Sequence, residues 1–374
     1  MQDRVRVGGC VIGELEATLV NHVLAHGMVG PSELTATFER ELAAAHDYKH
    51  CVCLNSGQSA LMVVLKALSL REERPLRVAL PAVTYISTWA AVLQAGCEPV
   101  LVDVTSDAQA NMIYGYTPDD IDIVLPVHLF GRAISQSHMD INPCKYIVED
   151  ACESAYAPGI GFGNACCLSF YSSHTITAGF GGAIMTDDDD LYFSVWQLVN
   201  HGRAKHDDYT DMANLADRFR FNEVGWSLKF SDLNAAVGLG QHIGREANIK
   251  TRQMIASIFN EALAAYPWLE TAPSDGHTYM MYPIVVDQGV QRPKDYQTRD
   301  QIVAKLNEAN IETRMMMPLT NQPIVQNYYS DIDLVQSYPH AHYLNEMGFY
   351  IGCHPAMTEE HVERVVNTFE EMAN

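Results

Sequence analysis

Tyr146-Ile147-Val148-Glu149-Asp150-Ala151-Cys152-Glu153 and Ser169-Phe170-Tyr171-Ser172-Ser173-His174-Thr175-Ile176-Thr177 are the stretches on which the reading of this chain turns. The first is a short apolar run, Tyr146–Val148, that leads into a carboxylate at Asp150. Open α/β sheets present ligand-contacting residues at the carboxyl ends of their strands, and a carboxylate buried there calls for a cationic partner. Asp150 can equally serve as the N-cap of a following helix. The second stretch sets hydroxyls beside the imidazole of His174, 24 positions beyond Asp150, and runs on into Gly179-Phe180-Gly181-Gly182. A phosphate contact next to a proton-transfer group has this composition, whereas a lone histidine is usually structural.

Outward from these stretches the pattern alternates between strand and helix. Upstream lie the apolar run Cys51–Leu54, the helical pattern Ser59–Leu70, the run Arg77–Leu80, the helix Ser87–Ala95 and the runs Pro99–Asp103 and Ile123–Leu125. Such alternation predicts a mostly parallel sheet covered by helices on both faces. Helical periodicity at residues 12–26 and 33–46 precedes it, broken by Gly30-Pro31-Ser32. Cys166–Tyr171 and Gly182–Thr186 read as further strands, and a long helical stretch runs from Ser231 towards Tyr266 with a break at Gly244. Tyr279–Val286, Asp300–Ala309, Ile311–Arg314, Gly348–Gly352 and Thr358–Met372 then suggest a smaller α+β unit. The expected organisation is an α/β chain with a large domain over 1–245 and a small C-terminal domain over 246–374.

Composition bounds the function. The formal charge of −22 repels nucleic acid, and no basic stripe offsets it. A phosphorylated ligand must therefore be held by local devices such as helix N-termini. No apolar run is long enough to span a membrane, and Met1-Gln2-Asp3-Arg4-Val5-Arg6 lacks the apolar core of a signal peptide, so a cytoplasmic location is expected. Nine cysteines without a Cys-x-x-Cys pair read as reduced core residues, not as a metal site or a disulfide framework. Asn55-Ser56-Gly57-Gln58-Ser59-Ala60, between a strand and a helix, is either a plain turn or a phosphate cradle whose Gly57 admits close approach.

The order and spacing of these segments resemble the DegT/StrS-type sugar aminotransferases over nearly the whole chain. That resemblance implies the aspartate-aminotransferase-like fold (fold type I) and pyridoxal phosphate (PLP) as cofactor. On the matching positions it implies phosphate binding at Gly57, Gln58 and Ser173, with Ser169 on the same cofactor-binding loop. Tyr85, in Pro81-Ala82-Val83-Thr84-Tyr85, matches the aromatic residue stacked on the cofactor ring. Asp150 matches the partner of the pyridine nitrogen, and Glu153 the residue beside the ring hydroxyl. Pro126-Val127-His128-Leu129-Phe130-Gly131 is a further hallmark, and Ile311-Glu312-Thr313-Arg314, Met317-Pro318-Leu319 and Gly352-Cys353-His354-Pro355 match the family's substrate-facing end. Asn200-His201-Gly202-Arg203 and Gly225-Trp226-Ser227-Leu228-Lys229 match stretches that complete a partner subunit's site, so a homodimer with shared sites is implied. Ser227 stands where the family usually has asparagine, and the segment between Asp150 and His174 is several residues shorter than usual.

The largest departure is His174, which occupies the position of the lysine that binds the cofactor covalently. None of the eight lysines (49, 66, 145, 205, 229, 250, 294, 305) is placed on this loop. Histidine can move the proton but cannot form the covalent link. This substitution resembles the branch of pyridoxamine phosphate (PMP)-dependent 3-dehydratases acting on nucleotide-linked 4-keto-6-deoxy sugars. Their loop commonly carries a second histidine and a glutamate, where this chain has Thr175 and Phe180. The expectation is 3-dehydration with His174 as acid and base. The alternatives are an aminotransferase-like or other PLP reaction such as decarboxylation, a binding protein without catalysis, and an engineered replacement of the lysine.

Overall fold

A computed structural model describes residues 3–112, 120–134, 144–204, 219–291, 293–296 and 298–373. Helices α1 (Glu14–His26) and α2 (Glu33–Ala45) precede strand β1 (His50–Leu54). There follow α3 (Gly57–Arg71), β2 (Arg77–Pro81), α4 (Ile86–Gln94), β3 (Glu98–Val102), β4 (Ile123–Val124), β5 (Tyr146–Asp150), β6 (Ala165–Ser169), β7 (Gly182–Thr186) and α5 (Asp189–Val199). The seven strands form one sheet in the order β1-β7-β6-β5-β4-β2-β3. Strands β2 to β6 pair in parallel, and β7 runs antiparallel to both β6 and β1.

Successive side chains of a strand point to opposite faces, and here both faces are buried. Val52, Leu54, Ala165, Cys167 and Ile184 face one core together with α3. Cys51, Cys53, Cys166, Leu168, Ala183 and Met185 face the other, beneath Phe38 and Leu42 of α2. The cysteine-rich strands thus alternate between two apolar layers, and all nine cysteines are free. The expected strands and helices lie within a few residues of those observed, as the fraying of element ends allows. Helix α5 was not anticipated. The expected break at Gly244 is real: this residue ends α6 (Asp232–Ile243) and starts α7 (Arg245–Leu263).

Beyond α7, strands β8 (Leu269–Thr271), β9 (Met281–Val286), β10 (Thr313–Met315) and β11 (Gly348–Gly352) form an antiparallel sheet in the order β10-β11-β9-β8. It carries α8 (Arg299–Glu308), α9 (Pro323–Tyr328), α10 (Leu334–Ser337), α11 (Pro339–Met347) and α12 (Glu359–Ala373). One hydrophobic cluster runs from Val78 and Leu80 in the first sheet to Ile284, Phe349 and Ile351 in the second. A division into folding units near residue 245 therefore remains a proposal. Gly131 joins the two halves: its carbonyl accepts from the Thr278 N–H at 2.7 Å, and its φ of 105° suits glycine. A Cβ there would meet the Met280 nitrogen at 2.5 Å. Among the described residues no helix is long and apolar enough to cross a membrane.

Candidate active site

The carboxyl ends of β1, β2, β5 and β6 open onto one cavity of about 400 Å³. This is the edge at which parallel sheets collect ligand-binding residues, because strand ends leave backbone and side chains unpaired there. Gly57 and Gln58 line it after β1, Tyr85 after β2, Asp150 and Glu153 at and beyond β5, and Ser169, Ser173 and His174 at and beyond β6. Eight of the nine expected site residues are thereby brought together. Ser227 is not: it is exposed and bridged to Asn200.

Asp150 is 3% exposed. Its Oδ2 accepts from the Thr88 hydroxyl at 2.8 Å and its Oδ1 from the Cys152 N–H at 3.2 Å. The chain after it makes turns and no helix, so Asp150 is not a helix cap. Among the described residues it has no ion-pair partner. A buried carboxylate facing a cavity without a cation suits a ligand that brings a positive charge, such as a protonated pyridine nitrogen.

The base of the cavity is the start of α3. Ser56 caps this helix, its Oγ accepting from the Ser59 N–H at 3.1 Å. The N–H groups of Gly57 and Gln58, the first two of the helix, have no partner among the described residues, which is the arrangement that binds phosphate. A Cβ at residue 57 would lie 2.7 Å from both Cys152 Sγ and Ser169 Cβ. Only glycine fits. The Gln58 side chain turns instead to Gln94, at 3.0 Å.

His174 sits on a loop closed by the Phe170 N–H bond to the Gly181 carbonyl at 2.9 Å and the Ala178 N–H bond to the Phe170 carbonyl at 3.0 Å. Its Nδ1 lies 3.2 Å from the Ser169 carbonyl. A carbonyl can only accept, so Nδ1 carries the hydrogen and Nε2 the lone pair. Burial pushes this imidazole down to about 4, opposed by the Ser169 carbonyl and reinforced by the charge of Arg252. At neutral pH it is an unprotonated base. Glu153 has the opposite tendency: burial pushes its carboxyl up to about 7, the Phe130 N–H lowers it from 2.9 Å, and the Asp150 charge raises it further. The Tyr85 ring is 59% exposed and lines the cavity, open to a planar ligand.

Several cavity residues carry no signal in the sequence. Thr88, which holds Asp150, lies one helical turn after Thr84 and is bonded to it at 2.9 Å. Met280 and Met281 come from the start of the second sheet, and Tyr350 from β11. Met317 had been noted as substrate-facing, and its carbonyl accepts from the Thr84 N–H at 3.0 Å, next to Tyr85. Among the described residues no lysine lines the cavity; Lys205 lies outside them.

Comparison with known proteins agrees with this geometry. The chain is 27% identical to the spore coat polysaccharide biosynthesis protein SpsC of Bacillus subtilis, over 97% of this chain and 95% of that protein. It is 26% identical to the GDP-perosamine synthase of Caulobacter vibrioides, over 90% and 89%. The structure of E. coli GDP-4-keto-6-deoxy-D-mannose-3-dehydratase with bound hydrated PLP superposes with a TM-score of 0.84 at 21% identity, covering 98% of this chain and 100% of that one. The sequence pattern of the DegT/DnrJ/EryC1/StrS aminotransferase family matches residues 11–370, and this chain, with Asp150 and the start of α3 at its strand-end cavity, belongs to that family.

Proposed function

We propose that this protein is a PMP-dependent enzyme that removes the 3-hydroxyl of a nucleotide-linked 4-keto-6-deoxy sugar, with His174 as acid and base. The observation that carries this reading is the placement of His174: an imidazole whose Nδ1 lies against the Ser169 carbonyl lines the cavity where the family places a lysine. Bound PMP supplies an amine that condenses with a ketone and a ring that takes up electrons when a proton leaves.

The protein's own groups do the rest. The amides of Gly57 and Gln58, with Ser173, hold the phosphate. Tyr85 would stack on the ring, Asp150 would keep the pyridine nitrogen protonated, and Glu153 would stand beside the ring hydroxyl. Nε2 of His174 takes up a proton and returns it to the departing hydroxyl, which leaves as water. The GDP-sugar names of the relatives support a nucleotide-sugar substrate. The same proposal includes a homodimer in which Ser227 completes the partner's site, since the structure leaves it exposed and away from its own cavity. It also includes a cytoplasmic location, in keeping with nine unpaired cysteines.

The test is incubation with PMP and GDP-4-keto-6-deoxymannose, followed by mass spectrometry. A sugar one oxygen atom lighter is expected, and a 4-amino sugar would mean transamination instead. Borohydride treatment of the PLP-loaded protein should leave no cofactor attached to the chain. A pyridoxyl-lysine peptide would overturn the reading, because another lysine would then hold the cofactor. Light scattering that finds a monomer with full cofactor occupancy would remove the shared site.

A further inference from the structure

Arg252 lies in the middle of α7, fully buried and among the largest such side chains in the molecule. A guanidinium removed from water needs its hydration replaced, and a carboxylate usually does this. Here it does not. Among the described residues no carboxylate pairs with Arg252, and its partners are neutral hydrogen-bond acceptors. Nε donates to Asn248 Oδ1 at 2.8 Å. Nη1 donates to the carbonyls of Tyr279 at 3.2 Å, Met280 at 3.0 Å and Cys353 at 2.6 Å. Nη2 donates to the carbonyl of His174 at 3.3 Å.

The carbonyl acceptors belong to three separate pieces of chain: the His174 loop, the entry to β9 and the exit of β11. Asn248, one turn earlier on the same helix, strengthens the first link by donating to the Thr175 carbonyl at 2.8 Å. Cys353 answers the third, its Sγ donating to the Arg252 carbonyl at 3.2 Å. Two consecutive carbonyls of the His174 loop are thus held from one face of α7. Met280, caught by the same guanidinium, lines the same cavity as His174. A guanidinium has five N–H hydrogens, so this set leaves little for an outside anion.

We propose that Arg252 is a positioning residue that locks the main chain of His174 to the second sheet, so that the imidazole and the methionine wall of the cavity keep one mutual geometry. Proton transfer needs such locking, because a displacement of about 1 Å costs on the order of 100-fold in rate. The inference rests on the assignment of His174 as the proton-transfer residue.

The test uses Arg252→Met, which keeps the volume and removes the donors, and Asn248→Ala, which keeps the guanidinium but removes its Nε acceptor and releases Thr175. Nitrogen-15 NMR of the histidine rings in the cofactor-free protein reads the tautomer of His174 directly. In the wild type a single Nδ1–H form is expected. In Arg252→Met that signal should move towards tautomer-averaged shifts, while turnover falls by about 10- to 100-fold with KM nearly unchanged. Arg252→Lys should recover part of both. A folded Arg252→Met protein with wild-type His174 shifts would overturn the proposal. If that variant does not fold, Arg252→Lys decides: partly averaged shifts support the lock, and wild-type shifts overturn it. Wild-type turnover in His174→Asn would instead refute the proposed function and leave the ring measurement standing.

Discussion

Asp150→Asn separates a structural carboxylate from one that waits for a cation. In the cofactor-free protein the asparagine oxygen can still accept from the Cys152 N–H. Its NH₂ can donate to Thr88, whose hydroxyl then turns its hydrogen towards Thr84 Oγ1, 2.9 Å away. The Thr84 hydroxyl hydrogen and one amide hydrogen are left to face the cavity, and a buried carboxylate without a cationic partner is removed, so the melting free energy should change by less than about 1 kcal/mol. With the cofactor bound, the loss is a charge-assisted hydrogen bond of about 1.5–3 kcal/mol, which is about a 10- to 150-fold rise in Kd. Calorimetric titration with PMP and thermal melts of the cofactor-free variant measure the two numbers separately. Unchanged PMP affinity would refute the pairing of Asp150 with the ring nitrogen. A large loss of cofactor-free stability would show instead that the carboxylate serves the fold.

Gly57→Ala should crowd Cys152 and Ser169 at 2.7 Å, costing about 1–3 kcal/mol and weakening PMP binding, as melts and titration would show; an alanine variant that binds PMP normally would contradict the close-approach argument. The His174 imidazole, pushed down to about 4 by burial, should stay neutral in NMR titrations until well below the ordinary histidine midpoint of about 6.5. Because the unfolded chain binds more protons across that window, this residue's contribution to stability is present above about pH 6.5 and is lost as pH falls towards 4; a midpoint near 6.5 in the folded protein would contradict it. Leu168→Ala, at a fully buried position in the core under α2, should cost about 2–5 kcal/mol, read as a lower Tm.

Much of this protein is decided by residues near one another in the chain. The apolar runs at 77–80, 99–103 and 146–148 make a parallel sheet because short β-branched runs between helical periods have few other ways to bury themselves. Asp150 is legible as a site residue because it closes an apolar run, and His174 because it stands on the loop after the next strand, which puts both at the same edge of a parallel sheet. Their chemistry is another matter. Whether Asp150 caps a helix or faces a cavity depends on the turns after it and on Thr88, 62 positions away. The proton on His174 is assigned by the Ser169 carbonyl only once the loop has closed on Gly181. Met280, Met281 and Tyr350 enter the site from the second sheet, and Arg252 reaches the His174 carbonyl across 78 positions. Side-chain periodicity is a local property that the sequence displays openly, whereas burial, tautomer and the filling of a cavity wall exist only after distant segments have packed, and so they belong to the tertiary structure.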